Sequence, residues 1–282
     1  AALIGLAACA VAAVALLPRA LEVGDGALLG QAGTGPAAGA AAKVDERFEG
    51  PCEDERPRNK NCKRSLGQAA ARCLVVDCGG ITNEDSGIKT AIHKRMPKDQ
   101  AERAAAAVKD TWTVFRDDPN GTKDAFWAAI GKAGGFDAAM ASDLDAEARR
   151  MLRISFPETL ELLRRAKADG VVLGMISNHV SFWFEECARS SGLRDLIAPD
   201  LLVVSNEVGC SKPGAKIFEV FLDRLAHTHP GLGASDCAFV DDKEANVAAA
   251  AAAGFRGVVY DAREAAPGDL QRALAAVGLV LT

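Results

Sequence analysis

Residues 73–80 of this 282-residue chain read Cys-Leu-Val-Val-Asp-Cys-Gly-Gly, a short apolar run that ends in an acid and two glycines. Consecutive apolar residues bounded by glycines are typical of a buried strand in a parallel sheet. Four further runs of this kind follow toward the C-terminus, at residues 171–176, 201–205, 237–240 and 257–260. The segment at 73–80 therefore opens a series of five predicted strands.

Helical segments alternate with these strands at residues 157–169, 183–191, 215–226 and 246–253. Pro157 near the start of the first segment and Gly170 after its end are typical helix boundaries. The alternation predicts an α/β fold with a doubly wound parallel sheet. The active site of such a sheet lies beyond the carboxyl ends of its strands.

Residues 82–156 break this alternation, because they contain helical patterns and no strand-like run. We predict helices at 97–115, 122–131 and 143–154, and hence a small helical cap, at about residues 88–154, inserted after the first strand. Several apolar side chains are spaced for the core of a small bundle: Trp112, Phe115, Phe126, Trp127 and Ile130. Substrate contact is the alternative role for these side chains.

The N-terminal part of the chain has a different character. Residues 1–17 form an uncharged apolar run, at the short limit for crossing a bilayer. This run predicts that the protein is targeted to an organelle, to secretion or to a membrane anchor. Without such targeting, we expect a cytoplasmic location. Contact with a membrane is expected only through this segment, if the mature protein retains it. Gly/Ala-rich and mixed-charge stretches follow and are typical of a flexible linker. We therefore divide the chain into residues 1–67 and a folded domain at 68–282.

The composition excludes some functions. A net charge of −5 and 5% aromatic residues argue against a general nucleic-acid binder. The eight cysteines include no C-x-x-C pair, which makes a zinc site an unfavoured interpretation. Cys73 and Cys237 are predicted to be buried thiols, and Cys52 and Cys62 could pair in an oxidising compartment.

Four polar motifs stand at predicted strand ends or helix starts, at residues 77–81, 176–178, 211–213 and 239–242, the last followed by Asn246. Each motif alone has an ordinary structural explanation, such as a strand-end cap or a helix N-cap. Their combination and order carry the functional prediction.

The residue types fit phosphate chemistry. A carboxylate such as Asp77 can attack phosphorus and form an acyl phosphate that water then cleaves. Two anions repel each other, so Mg²⁺ is expected, bound by Asp77, the Gly79 carbonyl and Asp242. Ser177 and Lys212 are predicted to act with Asp77 in catalysis. The predicted phosphate-binding residues are Gly79, Gly80, Ser177, Asn178 and Lys212.

From about residue 72 to the C-terminus, the sequence resembles the haloacid dehalogenase (HAD) superfamily. The motifs SKPGAKIF at 211–218, VDDKEANVAAAAAAG at 240–254 and SNH at 177–179 look similar to a subgroup of glucose-1-phosphatase-like enzymes and the phosphatase domain of soluble epoxide hydrolase. The resemblance implies a HAD-like core with a helical cap. It also implies that Asp77 is the nucleophile, Ser177 and Lys212 are phosphate-site residues, Asp242 is a Mg²⁺ ligand, and Asp241 and Asn246 support the metal.

One position departs from that family pattern. Most phosphatases of the superfamily have a second aspartate two residues after the nucleophile, as general acid and base, and this chain has Gly79 there. Loss of such a group costs about 10²–10⁴-fold in rate. His179, near the predicted phosphate site, could supply the proton instead.

The sequence thus predicts a Mg²⁺-dependent phosphomonoester hydrolase that acts on a small phosphorylated metabolite through an aspartyl-phosphate intermediate. Two alternatives remain: a phosphate-binding scaffold with lost or weak turnover, which Gly79 would favour, and a dehalogenase-type hydrolase.

Overall fold

The structure is a computed structural model and describes residues 70–282. The predicted targeting segment, the linker and the Cys52–Cys62 pair therefore lie outside the described residues.

The core of the described region is one five-stranded parallel sheet, as predicted. Its strands are β1 Cys73–Val76, β2 Val172–Ser177, β3 Leu202–Val204, β4 Cys237–Asp241 and β5 Arg256–Val259, in the spatial order β3-β2-β1-β4-β5. All four residues of β1 are buried, because this central strand has a neighbour on each side and helices over both faces. The carboxyl ends of β1, β2 and β4 consequently meet at one edge.

Eleven α-helices flank or follow this sheet in the described residues: α1 Ile88–Arg95, α2 Lys98–Phe115, α3 Lys123–Gly134, α4 Ala138–Leu152, α5 Pro157–Ala168, α6 Ser181–Ser191, α7 Leu193–Leu196, α8 Ser205–Val208, α9 Ala215–Thr228, α10 Glu244–Ala252 and α11 Asp269–Ala276. No helix within residues 70–282 has the length and apolar character needed to span a membrane.

Helices α1–α4, here called the four-helix segment, lie between β1 and α5 in the chain. The predicted start of α4 at residue 143 was wrong, because Asp137 caps the helix earlier by accepting a hydrogen bond from the Met140 amide. The sequence analysis also missed α1, whose buried face is only Ile88, Ala91 and Ile92.

An aromatic cluster joins the four-helix segment to the sheet domain. The Phe126 and Trp183 rings lie 5.2 Å apart, and Asp145 accepts hydrogen bonds from the indole N–H groups of Trp127 and Trp183 at 3.1 and 2.9 Å. Phe126, Trp127 and Ile130 are buried, as predicted for a bundle core. The cluster fixes α3 and α4 against α6.

Ion pairs reinforce the same contact. Glu186 on α6 accepts hydrogen bonds from Arg149 on α4, from Arg153 directly after α4 and from Arg189 on its own helix, at 2.9, 2.8 and 2.7 Å. Burial acts to raise the pKa of Glu186, but the three guanidinium groups outweigh it and hold the pKa at about 2.

Candidate active site

Asp77 follows the central strand directly and lies at the edge where the strand ends meet. It is 5% exposed, and its Oδ1 accepts a hydrogen bond from the Cys78 amide at 2.7 Å. The four buried apolar residues of β1 fix the backbone that carries it. The predicted nucleophile is therefore held at a defined point of the edge.

Lys212 is the central cation of the site. Its Nζ is fully buried and lies 3.0 Å from Asp77 Oδ1 and 2.6 Å from Asp241 Oδ2. It also donates to the Ile176 carbonyl at 2.6 Å. Lysine is rarely buried unless it is paired, and here one ammonium group neutralises part of the charge of two carboxylates.

Three carboxylates lie close together at this edge of the sheet. Ligand oxygens of Asp77, Asp241 and Asp242 lie within 4.8 Å of one another. Asn246 donates to Asp241 Oδ1 at 2.9 Å, and the Lys243 amide donates to the same oxygen at 2.9 Å. An all-oxygen donor set of this kind suits a hard divalent cation such as Mg²⁺, so the residues present fit the predicted metal.

Two cations missed by the sequence analysis neutralise Asp242. Lys243 Nζ and Arg263 Nη2 lie 3.1 and 2.9 Å from its two oxygens. Burial acts to lower the pKa of Lys243, but Asp77 and Asp242 outweigh it and raise the pKa. The Asp261 carboxylate likewise raises the pKa of Arg263 against the effect of burial. Both groups remain charged near neutral pH.

Gly79 and Gly80, in the loop after Asp77, allow close approaches. Gly80 has φ +74°, and a Cβ there would lie 2.9 Å from Arg263 Nη2 and 3.1 Å from Asp242 Oδ2. A Cβ at Gly79 would lie 2.6 Å from Asp85 Oδ1. The loop therefore packs directly against charged side chains of the site.

The motif after β2 contributes mainly structure. Asn178 Nδ2 donates to the Lys212 carbonyl at 2.8 Å, and the Lys212 amide donates to Asn178 Oδ1 at 2.8 Å. The Asn178 amide group thus ties the two loops together and positions Lys212. Ser177 is 1% exposed at the end of β2, and its role as a phosphate ligand stays a prediction.

His179 is buried, and both ring nitrogens face protein atoms. Nδ1 lies 3.0 Å from the Val180 carbonyl and accepts from the Val180 amide at 3.1 Å, while Nε2 lies 3.8 Å from Cys187 Sγ. Burial acts to lower the pKa of His179, but the contact with Cys187 outweighs it and raises the pKa. We assign no proton transfer to this histidine.

Cys78, the residue after Asp77, and Cys187 form a pair of thiols in contact. Cys78 is fully buried, and its contact with Cys187 raises the pKa of Cys78. The same contact, opposed by burial and aided by His179, lowers the pKa of Cys187 to about 6. Cys73 and Cys237, on neighbouring strands, are also buried as predicted, and all four are free thiols.

A cavity of about 530 Å³ opens in front of these groups. Of the predicted site residues, Asp77, Gly79, Asn178, Lys212 and Asn246 line it, and Asp85 lines it as well. Trp112 and Trp183, with ring centroids 6.0 Å apart, form part of its wall. The cavity is of a size for a small molecule and combines an apolar wall with charged groups at its base.

Comparison with known families agrees with the fold. Residues 71–254 match the family model for haloacid dehalogenase-like hydrolases. The chain belongs to this family of hydrolases. A sequence search of the curated proteins finds no match.

Solved structures share the fold at low identity. A HAD family enzyme of Bacteroides thetaiotaomicron superposes with a TM-score of 0.56 at 18% identity, covering 69% of this chain and 96% of that one. The complex of that enzyme with magnesium and inorganic phosphate gives 0.55 at 19% identity, covering 69% and 96%. A dehalogenase gives 0.50 at 17% identity, covering 72% and 90%. These structures establish a common architecture and leave the predicted subgroup a prediction.

Proposed function

We propose that this HAD-like hydrolase is a Mg²⁺-dependent phosphatase that acts on a small phosphorylated metabolite. The observation that carries the proposal is the contact of Lys212 with both Asp77 and Asp241, beside Asp242, at the base of a cavity. This arrangement combines a fixed carboxylate nucleophile with the positive charge that a dianionic ester requires.

Asp77 is the proposed nucleophile. Its polar contacts with the Cys78 amide and Lys212 both use Oδ1, so they orient the carboxylate through one oxygen. The other oxygen attacks phosphorus as the bond from phosphorus to the ester oxygen breaks. The alcohol leaves with a proton, and water hydrolyses the resulting aspartyl phosphate to inorganic phosphate. Lys212 restrains the carboxylate and offsets charge on the transferring group.

Asp77, the Gly79 carbonyl and Asp242 would hold Mg²⁺, with Asp241 and Asn246 in support. When bound, the ion supplies charge neutralisation for the phosphoryl oxygens. The bonds from Lys243 and Asn246 to Asp241 keep this support rigid. The magnesium and phosphate complex of the Bacteroides enzyme supports the choice of ion and ligand.

The four-helix segment is the proposed cap. Trp112 on α2 and Ile88 on α1 line the cavity from that segment, while Asp77 and Lys212 line it from the sheet domain. A substrate would therefore touch the cap with its organic part and the strand ends with its phosphate. The cavity volume of about 530 Å³ favours a small metabolite over a polymer.

The test is release of inorganic phosphate from 4-nitrophenyl phosphate and a panel of sugar phosphates by the purified protein, with Mg²⁺ and with EDTA. We expect Mg²⁺-dependent release that Asp77→Asn abolishes. Asp110→Asn, an exposed acid on α2, is the matched control and should retain activity.

Three outcomes would contradict the proposal. Equal rates for the wild type and Asp77→Asn would remove the nucleophile. Phosphate binding without turnover would favour the scaffold alternative. Chloride release from 2-haloacids without phosphate release would favour the dehalogenase alternative, which the dehalogenase neighbour keeps open.

A further inference from the structure

The space beside Gly79 is already filled by a carboxylate. A Cβ built on Gly79 would lie 2.6 Å from Asp85 Oδ1. That distance is close to the separation between Cβ and a carboxylate oxygen within one aspartate side chain. Asp85 therefore places an oxygen beside Gly79, at about the distance from Cβ at which an aspartate at residue 79 would hold its own.

The backbone of the loop fixes this position. The amides of Thr82 and Asn83 donate to the Cys78 carbonyl at 2.9 and 3.1 Å, so the chain turns back on itself directly after β1. Gly79 and Asn83 form a parallel bridge, and the Glu84 amide donates to the Ile154 carbonyl at 2.8 Å. Residue 85 is thereby returned to the side of residue 79.

Buried contacts anchor the same turn. Asn83 is fully buried, and its Nδ2 donates to the Leu152 carbonyl at 3.0 Å and to Ser190 Oγ at 3.2 Å. These bonds tie the turn to the end of α4 and to α6. Buried hydrogen bonds therefore hold this loop in place.

Arg263 holds the side chain of Asp85 from the outside. Its Nη1 donates to Asp85 Oδ2 at 2.8 Å, while its Nη2 pairs with Asp242 and Asp261. The bond uses Oδ2, and Oδ1 is the atom directed at Gly79. One carboxylate oxygen is thus restrained and the other lies beside Gly79, in a side chain that lines the cavity and is 60% exposed.

Two other titratable groups that line the cavity, His179 and Glu84, are engaged by neighbouring groups of the protein. The ring nitrogens of His179 face Val180 and Cys187. Glu84 Oε1 accepts a hydrogen bond from the Asp85 amide at 2.9 Å and lies 3.8 Å from Arg263 Nη1. Asp85 combines a restrained carboxylate with an oxygen beside the nucleophile loop.

The geometry points to Asp85 as the general acid and base of the reaction, acting from the space that Gly79 leaves open; this inference rests on the proposed phosphatase function. As the Asp77 oxygen bonds to phosphorus, the bond from phosphorus to the ester oxygen breaks. The electron pair stays on that oxygen, which takes the proton of the Asp85 carboxyl group.

The second half of the cycle restores both groups. A water oxygen bonds to phosphorus and gives a proton to the Asp85 carboxylate. The bond from phosphorus to Asp77 breaks, and its electron pair returns to the Asp77 carboxylate. Inorganic phosphate leaves, and Asp85 is protonated for the next ester.

The test compares two esters of different leaving groups. 4-Nitrophenyl phosphate releases an acidic phenol that needs little protonation, whereas benzyl phosphate releases a poorly acidic alcohol that needs a proton donor. We expect Asp85→Asn to lower kcat/KM for benzyl phosphate by about 10²-fold or more, and for 4-nitrophenyl phosphate by less than about tenfold. Asp261→Asn, which removes a different partner of Arg263, is the control and should affect both esters alike.

A relocated carboxylate gives a second measurement. The double variant Gly79→Asp with Asp85→Ala carries the acid on residue 79, whose Cβ no longer meets the Asp85 side chain. We expect kcat/KM of the double variant for benzyl phosphate to be at least tenfold higher than that of Asp85→Ala. Thermal unfolding shows whether the double variant folds. If it does not fold, the comparison of the two esters in Asp85→Asn decides the role of Asp85.

The failures are distinguishable. Equal losses on both esters in Asp85→Asn, no loss on either, or a folded double variant without recovery would overturn the role of Asp85 while Asp77→Asn remains inactive. Absence of hydrolysis by the wild type, or full activity of Asp77→Asn, would overturn the proposed function and this inference with it.

Discussion

Removal of the buried ammonium group is the sharpest test of how the strand edge is held together. Lys212→Met keeps the length of the side chain and deletes the charge. Lys212 Nζ lies 3.0 Å from Asp77, 2.6 Å from Asp241 and 2.6 Å from the Ile176 carbonyl, with no solvent exposure. The variant therefore leaves two carboxylates without their shared counter-ion.

The expected loss of unfolding free energy follows from the contacts of the Lys212 ammonium group. Breaking a buried ion pair by removing one partner costs about 3–5 kcal/mol, because the remaining charge stays desolvated. For a domain of this size, such a loss lowers Tm by about 10 °C. The magnitude should be smaller when one carboxylate is neutralised at the same time, so Lys212→Met with Asp241→Asn should be more stable than Lys212→Met alone.

The assay is urea unfolding followed by circular dichroism, in EDTA so that no divalent ion replaces the lysine. Lys216→Met is the matched control, since Lys216 is 67% exposed and pairs with Glu219 at 3.1 Å. We expect it to change the free energy of unfolding by less than about 1 kcal/mol. The reasoning is refuted if Lys212→Met behaves like this control, or if the losses of the two single variants simply add in the double variant.

Three further predictions concern other parts of the site and its support. Gly80→Ala should lower the free energy of unfolding by about 1–2 kcal/mol, measured in urea, because residue 80 has φ +74° and its Cβ would press on Arg263; an unchanged midpoint would contradict this. Asp242→Asn should abolish the rise in Tm that Mg²⁺ gives the wild type, which at a hundred times Kd corresponds to about 2.7 kcal/mol; an equal rise in both proteins would exclude Asp242 as a ligand. Glu186→Gln should cost about 1–2 kcal/mol at pH 7, after allowance for solvent screening of the arginines. Because folding depresses the pKa of Glu186 from 4.5 to about 2, this stability is present above pH 4.5 and is lost as the pH falls toward 2. The prediction is refuted if the free energies of unfolding of the wild type and Glu186→Gln differ by the same amount at pH 7 and at pH 2.

The sequence allowed the sheet and its polar edge to be predicted because local patterns encode both. Asp77 and Asp241 follow or end apolar runs of four residues, and the rule that parallel strand ends meet at one edge brings them together. Lys212 was found through the motif that precedes α9. Each of these residues can therefore be recognised from the residues next to it in the sequence.

Asp85 and Arg263 could not be recognised from their neighbours in the sequence. Asp85 and Arg263 are separated by 178 positions and lie in loops without apolar periodicity. Their pairing follows from the turn after β1 and from the loop after β5, whose three-dimensional courses the sequence pattern does not specify. Helix α1 was missed for a related reason, since a helix that buries three small or medium residues gives only a weak periodic signal.

The charges at the edge divide into two groups with different energetic roles. Lys212 is fully buried between Asp77 and Asp241, so its loss would leave desolvated charge, and this pairing is a fixed part of the fold. Asp242 instead pairs with Lys243 and Arg263, whose side chains are 61% and 31% exposed. Solvent screens these pairs more than the pairs of Lys212 because their cations are partly exposed, although Asp242 itself is only 8% exposed. The same edge therefore holds Asp77 through a fully buried cation and Asp242 through cations that remain partly exposed.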